Sequence, residues 1–304
     1  MKYVYIFLAI IIIFILSIFT FKEDEIYYYY AKYTTESNEE LNNNNYFYID
    51  NFMYLDDYTN TEIHSKEELY NTIYYLVNSG ITHTKRYFDI NYTNYEEDYS
   101  NLFENVDELN IINNFVHPYN SFSSIEASLK GYVLDITIKY NDYYSDTYKQ
   151  KIDNEVSKVI SELITSNMTD KEKVKVIHDY IVNNTTYDEN FCVEKTNCTT
   201  TSPYASDTAY GVLFEHYGIC SGYTDLMAIF LNKLNIINYR VTNDTHTWNA
   251  VKINNTWYHL DATWDDPIND TPILSHTYFL ITTSEDEKLK EPHIFNKEIF
   301  MELS

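Results

Sequence analysis

The most uniform pattern in the chain is an apolar run from Tyr3 to Phe21 (YVYIFLAIIIIFILSIFTF), broken only by Ser17 and Thr20. As a helix rising about 1.5 Å per residue it covers about 28 Å, close to a hydrocarbon core of roughly 30 Å. Residues 3–21 are therefore expected to form a transmembrane signal-anchor. A cleaved signal peptide usually carries a shorter apolar region ending in small residues, whereas this run ends in Ile18-Phe19-Thr20-Phe21. Lys2 and the amino terminus precede the span, so the positive-inside rule orients the bulk of the chain outside the cell. Residues 22–45 are polar and end in Asn42-Asn43-Asn44-Asn45, which reads as a tether.

From 46 to 145 the periodicity alternates between helix and strand. Leu69, Ile73, Leu76 and Val77 recur at helical spacing within Lys66 to Asn78, with Gly80 as a stop. Tyr132, Leu134, Ile136, Ile138 and Tyr140 alternate with more polar neighbours, as in a half-buried strand. This predicts a small α+β N-terminal domain serving as scaffold. The rest of the chain, 146–304, is expected to form a second domain. In it, Ile152, Val156, Val159, Ile160 and Leu163 share one helical stripe. Thr169-Asp170-Lys171-Glu172 reads as a capping box ahead of Val174, Ile177 and Ile181. His178 on that helix is expected to be a structural hydrogen-bonder.

The pattern changes between Tyr210 and Asp266. Gly211, Gly218 and Gly222 fall close together in a chain with only 5 glycines, and Trp248, Trp257 and Trp264 follow. Cys220 precedes a helical pattern of Tyr223, Leu226, Met227, Phe230, Leu231 and Leu234. A cysteine at a helix N-terminus sits where the helix dipole stabilises a thiolate nucleophile, and the flanking glycines are expected to let a substrate backbone approach. A cysteine by itself is more often a small buried hydrophobe. Downstream, 245–253 and 256–264 read as two strands joined by Asn254-Asn255. A two-residue loop makes Ile253 and Thr256 neighbours, sets Thr263 opposite His246, and puts Asp261 on the His246 face. Such diagonal neighbours lie roughly 7 Å apart, within side-chain reach. A carboxylate on one imidazole nitrogen leaves the other free to take a proton. Trp248 and Trp264 are expected in the core or the cleft wall, and His259 in a structural or solvent-facing role.

The blocks Val176-Ile177-His178-Asp179-Tyr180, Tyr187-Asp188, Ala209-Tyr210-Gly211-Val212-Leu213, Gly218-Ile219-Cys220-Ser221-Gly222-Tyr223, His246-Thr247-Trp248-Asn249 and Trp257 to Asp266, in this order, resemble the transglutaminase-like superfamily. The resemblance covers about Lys173 to Tyr278. It implies a papain-like α+β fold, with a nucleophile helix packed on an antiparallel sheet. It also implies Cys220 as nucleophile, His246 as base and Asp261 as orienting carboxylate, with no cofactor. The superfamily spans crosslinking enzymes, proteases and amidases, so the expected activity is thiol-dependent acyl transfer or amide hydrolysis on a protein or peptide. A cysteine protease of the same fold and a non-catalytic surface scaffold are the alternatives. No Gln or Trp precedes Cys220 at a suitable place to complete an oxyanion site, which leaves the Tyr210 hydroxyl as candidate.

Charge and cysteine count narrow the picture further. A net charge of -25, from 46 acidic and 21 basic residues, argues against nucleic-acid binding. With the bulk outside the cell, Cys192 and Cys198 could close a small disulfide loop and leave Cys220 free. Nine histidines and three cysteines show no CxxC or HxxxH cluster and no calcium loop, so no metal site is expected.

Overall fold

A computed structural model describes residues 5, 7, 10–12, 22–34, 61–191, 202–268 and 273–304, and these divide into two units. Among the described residues no helix is long and apolar enough to cross a membrane. Within the expected anchor, Tyr5, Phe7 and 10–12 are helical, and the remainder lies outside the described residues, as do Cys192 and Cys198.

Among the described residues the first unit comprises 5, 7, 10–12, 22–34, 61–109 and 122–139. Its helices are α1 (Glu23–Thr34), α2 (Lys66–Asn78) and α3 (Tyr95–Phe103). Its strands β1 (Glu62–Ile63), β2 (His83–Phe88), β3 (Phe122–Lys130) and β4 (Val133–Tyr140) form one sheet in the order β1-β2-β4-β3. Helix α2 has the predicted bounds: Ser65 caps it by accepting from the Glu68 N–H, and Leu69, Ile73, Leu76 and Val77 are buried. In β4 the predicted Leu134, Ile136 and Ile138 are buried, and so is Val133 on the opposite face.

Helix α1 explains Val133 and corrects the tether. Tyr28 and Ala31, three residues apart on one helical face, pack with Tyr87 and Val133, and the Tyr87 hydroxyl donates to the Ala31 carbonyl at 3.2 Å. The stretch looked polar because tyrosine and three leading acids dominate it. Those acids suit a helix N-terminus, and a tyrosine buries like a large hydrophobe when its hydroxyl finds a partner.

Among the described residues the second unit comprises 110–121, 140–191, 202–268 and 273–304. It holds α4 (Asp146–Leu163), α5 (Asp170–Asn184), the short pair β5 (Thr186–Tyr187) and β6 (Tyr217–Gly218), then α6 (Cys220–Lys233). The antiparallel sheet β7 (Asn238–Thr242), β8 (Thr247–Ile253), β9 (Thr256–Leu260) and the one-turn α7 (Thr283–Asp286) complete it. The Thr169–Glu172 capping box of α5 is present. Helix α6 is buried along nearly its whole length. Its Leu226, Met227, Phe230 and Leu231 meet Ile152, Val156 and Val159 of α4, Val174, Ile177 and Ile181 of α5, and Val251 and Leu260 of the sheet.

Residues 110–121 were expected in the N-terminal domain, and Arg240 shows why they join the second unit. Its guanidinium pairs with Asp225 of α6 at 2.6 Å and donates to the carbonyls of Asn113 and Val116 and to the Ser121 hydroxyl. A buried guanidinium needs acceptors for its N–H groups, and this segment supplies three of them.

Candidate active site

Cys220 is the first residue of α6 and is partly exposed. The two-residue parallel pairing of β5 with β6, Tyr187 opposite Gly218, fixes the entry to the helix. Two glycines are required here by close packing. A Cβ on Gly222 would lie 2.3 Å from the Ser206 carbonyl oxygen, and one on Gly211 would lie 2.2 Å from that of Ala205. The approaching backbone is therefore the protein's own 205–208 loop, where a substrate had been expected.

The β8–β9 hairpin follows the predicted register. Asn254 and Asn255 both have left-handed backbone (φ 49° and 64°), and Ile253 pairs with Thr256. The second strand is shorter than expected, ending at Leu260. Asp261 Oδ1 then accepts from the backbone N–H groups of Thr263 (2.9 Å) and Trp264 (3.1 Å), which turns the chain. His246 and Asp261 thus sit just beyond adjacent strand ends, and His246 Nε2 meets Asp261 Oδ2 at 2.6 Å.

Electrostatics support a proton-handling pair. Burial is the largest single influence on His246 and lowers its pKa, but hydrogen bonds to Asp261 and Cys220 and the charges of both together lift it to about 9. The influence of Cys220 on the imidazole places its thiol near the ring, and with Nε2 at 2.6 Å from Asp261 the remaining ring nitrogen is Nδ1. For Asp261, burial pushes the pKa up, and hydrogen bonds from His246 and then His293 overcome it, holding the carboxyl down at about 2. The structure brings His246 and Asp261 together through the hairpin, and Cys220 contributes to the electrostatics of His246.

A cleft of about 330 Å³ opens on His246, lined also by Tyr187, Thr263, Trp264, Asp266 and Tyr278 among others. A second cavity of about 530 Å³ shares Tyr187, Asp266, Pro267 and Ile268 with it. Burial raises Asp266 to about 6 against the opposing bond from the Tyr223 hydroxyl, 2.5 Å away. Trp264 is cleft wall and Trp248 is core. His259 is buried and structural, bonded to Trp248 Nε1 and Thr283 Oγ1 at 3.0 Å each. His178 is structural too, lying 3.2 Å from both Asp265 and Asp179.

Tyr210, the oxyanion candidate, sits away from this cleft's lining, as Cys220 itself does. Its ring packs among Tyr143, Tyr148 and Phe214, and none of these four lines the cleft. Tyr187 does line it, and its hydroxyl pKa is raised first by burial and next by the charge of Cys220. Nothing in a sequence with 33 tyrosines singles it out; its place depends on the β5–β6 pairing. His293 and Asp286 were also missed. His293 Nε2 reaches Asp261 Oδ2 at 3.1 Å, and its Nδ1 reaches Asp286 Oδ1 at 2.7 Å.

Among the described residues, two groups bring potential metal-binding atoms within 4.8 Å of one another: His246, Asp261 and His293, and His178, Asp179 and His276. Direct nitrogen–oxygen hydrogen bonds close the first group, and the Lys175 ammonium, 2.5 Å from Asp179 and 3.1 Å from His276, occupies the second. Protons and an ammonium supply the positive charge that a cation would bring.

Residues 157–262 match the family described as the transglutaminase-like superfamily. No curated protein matches the chain. Among solved structures it is similar to one described as a TGase, at 19% identity and TM-score 0.36, over 58% of this chain and 59% of that one. It is also similar to a candidate cysteine protease from Cytophaga hutchinsonii, at 16% identity and TM-score 0.28, over 50% of this chain and 65% of that one. The chain therefore spans less than two thirds of either structure.

Proposed function

We propose, from the premise that residues 157–262 form a domain of the transglutaminase-like superfamily, that the protein performs thiol-dependent acyl transfer or amide hydrolysis on protein or peptide substrates. The observation that carries this reading is the His246–Asp261 hydrogen bond at 2.6 Å, with His246 lining a cleft and its pKa raised in part by Cys220 at the start of α6. The Cys220 proton is handed to His246 Nδ1 before attack, so an imidazolium stands beside the sulfur when Sγ attacks the carbonyl carbon of an amide. The tetrahedral intermediate then expels its amine, which takes that proton, and a thioester remains on Cys220. An incoming amine or water gives its proton to His246, attacks the thioester, and releases the acyl group and the thiol. The Cys220 backbone N–H, at the first helical position and so without an intrahelical acceptor, and the Tyr187 hydroxyl are the donors for the oxyanion.

Residues 3–21 are proposed to hold the protein in the cell membrane with its bulk outside. The length and apolarity of that run support this placement.

The test uses the full chain in detergent micelles, a Gln-bearing peptide, and a fluorescent primary amine, with Cys220→Ala protein as the blank. Mass spectrometry is expected to find an acyl adduct on Cys220, resolved into amine incorporation, deamidation or chain cleavage. A Cys220 that forms no adduct and alkylates no faster than an ordinary thiol ends the proposal. Acylation is expected to fall as pH rises through about 9, because the raised His246 pKa places loss of the imidazolium there. A Tyr187→Phe protein is expected to acylate about 10²-fold more slowly while Cys220 alkylates at the parent rate, since only the oxyanion donor is gone. Equal losses in both reactions would mean that Tyr187 acts on the thiol instead.

A further inference from the structure

We propose that His293 is a positioning residue for the His246–Asp261 pair. It is an imidazolium clamped between Asp261 and Asp286, and it orients the shared carboxylate and offsets part of its charge. The geometry requires two ring protons. Each nitrogen of His293 faces a carboxylate oxygen, Asp261 Oδ2 at 3.1 Å and Asp286 Oδ1 at 2.7 Å. A neutral imidazole has only one N–H, so one lone pair would point at an anion in a buried site. Asp286 Oδ2 also accepts the His293 backbone N–H at 2.9 Å, so the ring cannot swing away without breaking a second bond. Both carboxylates are almost fully buried.

The rings around His293 favour a cation as well. Trp248 and Trp264 stack on it with centroids 4.3 and 4.5 Å away, and indole faces attract positive charge. His259 lies parallel at 5.4 Å. Burial first, and then the positive charge of His293, push its pKa down to about 4, so it stays neutral. His246 is 6.1 Å away and Tyr278 is 5.3 Å away across a T-shaped contact. Lys297 acts on His259 and Glu291 on Tyr278 as outer charges. The clamp is directed at Asp261, whose Oδ2 is shared by both histidines. A positive charge there weakens the pull of Asp261 on the His246 proton, so His246 can release it to a leaving amine. Asp286 and His293 both lie beyond residue 262, where the family match ends.

The meaning for catalysis rests on the proposed function, but the test reads the histidines themselves. Side-chain nitrogen-15 spectra of the full chain in micelles are expected to show two protonated nitrogens on His293 between pH 6 and 8. In Asp286→Asn protein His293 is expected to become neutral, and the His246 midpoint to rise by about one pH unit, with His293→Gln shifting it the same way. The alkaline limb of Cys220 alkylation should move with it. A purely structural role would lower stability or activity and leave both midpoints in place. One bare nitrogen on His293 in the parent at pH 7, or an unmoved His246 midpoint in a folded variant, overturns the proposal. If neither variant folds, the parent spectrum decides alone. An unreactive Cys220 would sink the proposed function and leave the nitrogen-15 result intact.

Discussion

Asp261→Asn protein is expected to lose about 10⁴-fold in kcat while keeping its fold, by analogy with the loss seen when a triad carboxylate becomes an amide. The asparagine carbonyl can still accept from the Thr263 and Trp264 N–H groups that turn the chain. Its amino group, however, would face His246 Nε2, where the carboxylate oxygen now lies at 2.6 Å. That nitrogen would have to become the acceptor, placing the ring proton on Nδ1, the nitrogen needed by Cys220. Without the anion, burial dominates and the His246 pKa falls from about 9 toward or below its ordinary value. Single-turnover acylation and a His246 titration would measure both effects, with near-UV circular dichroism confirming the fold. A loss smaller than tenfold would remove Asp261 from the proton path.

Arg240→Met protein is expected to lose about 3–5 kcal/mol of stability in the second unit, because a buried charge loses its partner. Asp225 would keep only the Tyr144 hydroxyl, at 2.5 Å, and the carbonyls of Asn113 and Val116 would lose their donor. Asp225 lies on the helix that begins with Cys220, so the damage also loosens the nucleophile's platform. Trp248, Trp257 and Trp264 all belong to this unit, and their fluorescence during urea denaturation reports its unfolding specifically. Adding Asp225→Leu to Arg240→Met should recover most of the loss, since replacing both charges leaves no ion stranded. A single variant as stable as the parent would mean that water enters to solvate Asp225.

Features generated by nearby residues were legible. The capping box at Thr169, the N-cap at Ser65, the Asn254-Asn255 turn and the His246–Asp261 pairing each depend on residues a few positions apart or on a hairpin register. Helical spacing placed Cys220 at the start of α6 for the same reason. The α1 helix was missed because polarity counts treat tyrosine as neutral, while its packing depends on which two residues face Tyr87 and Val133. Tyr187 was not singled out because its place depends on the distant pairing with Gly218, which sets its ring in the cleft and within the electrostatic reach of Cys220.

By itself, then, the sequence determined a thiol at a helix start and an imidazole and a carboxylate held together by one hairpin. These relations are local, and backbone periodicity enforces them whatever surrounds them. Only the tertiary structure decided the rest. It joined 110–121 to the second unit through the acceptors of Arg240, set Tyr187 in the cleft, and carried Asp286 and His293 back to the far side of Asp261. Buried charge imposes those choices, because each buried ion must find partners wherever the chain can bring them, and sequence distance does not limit that search.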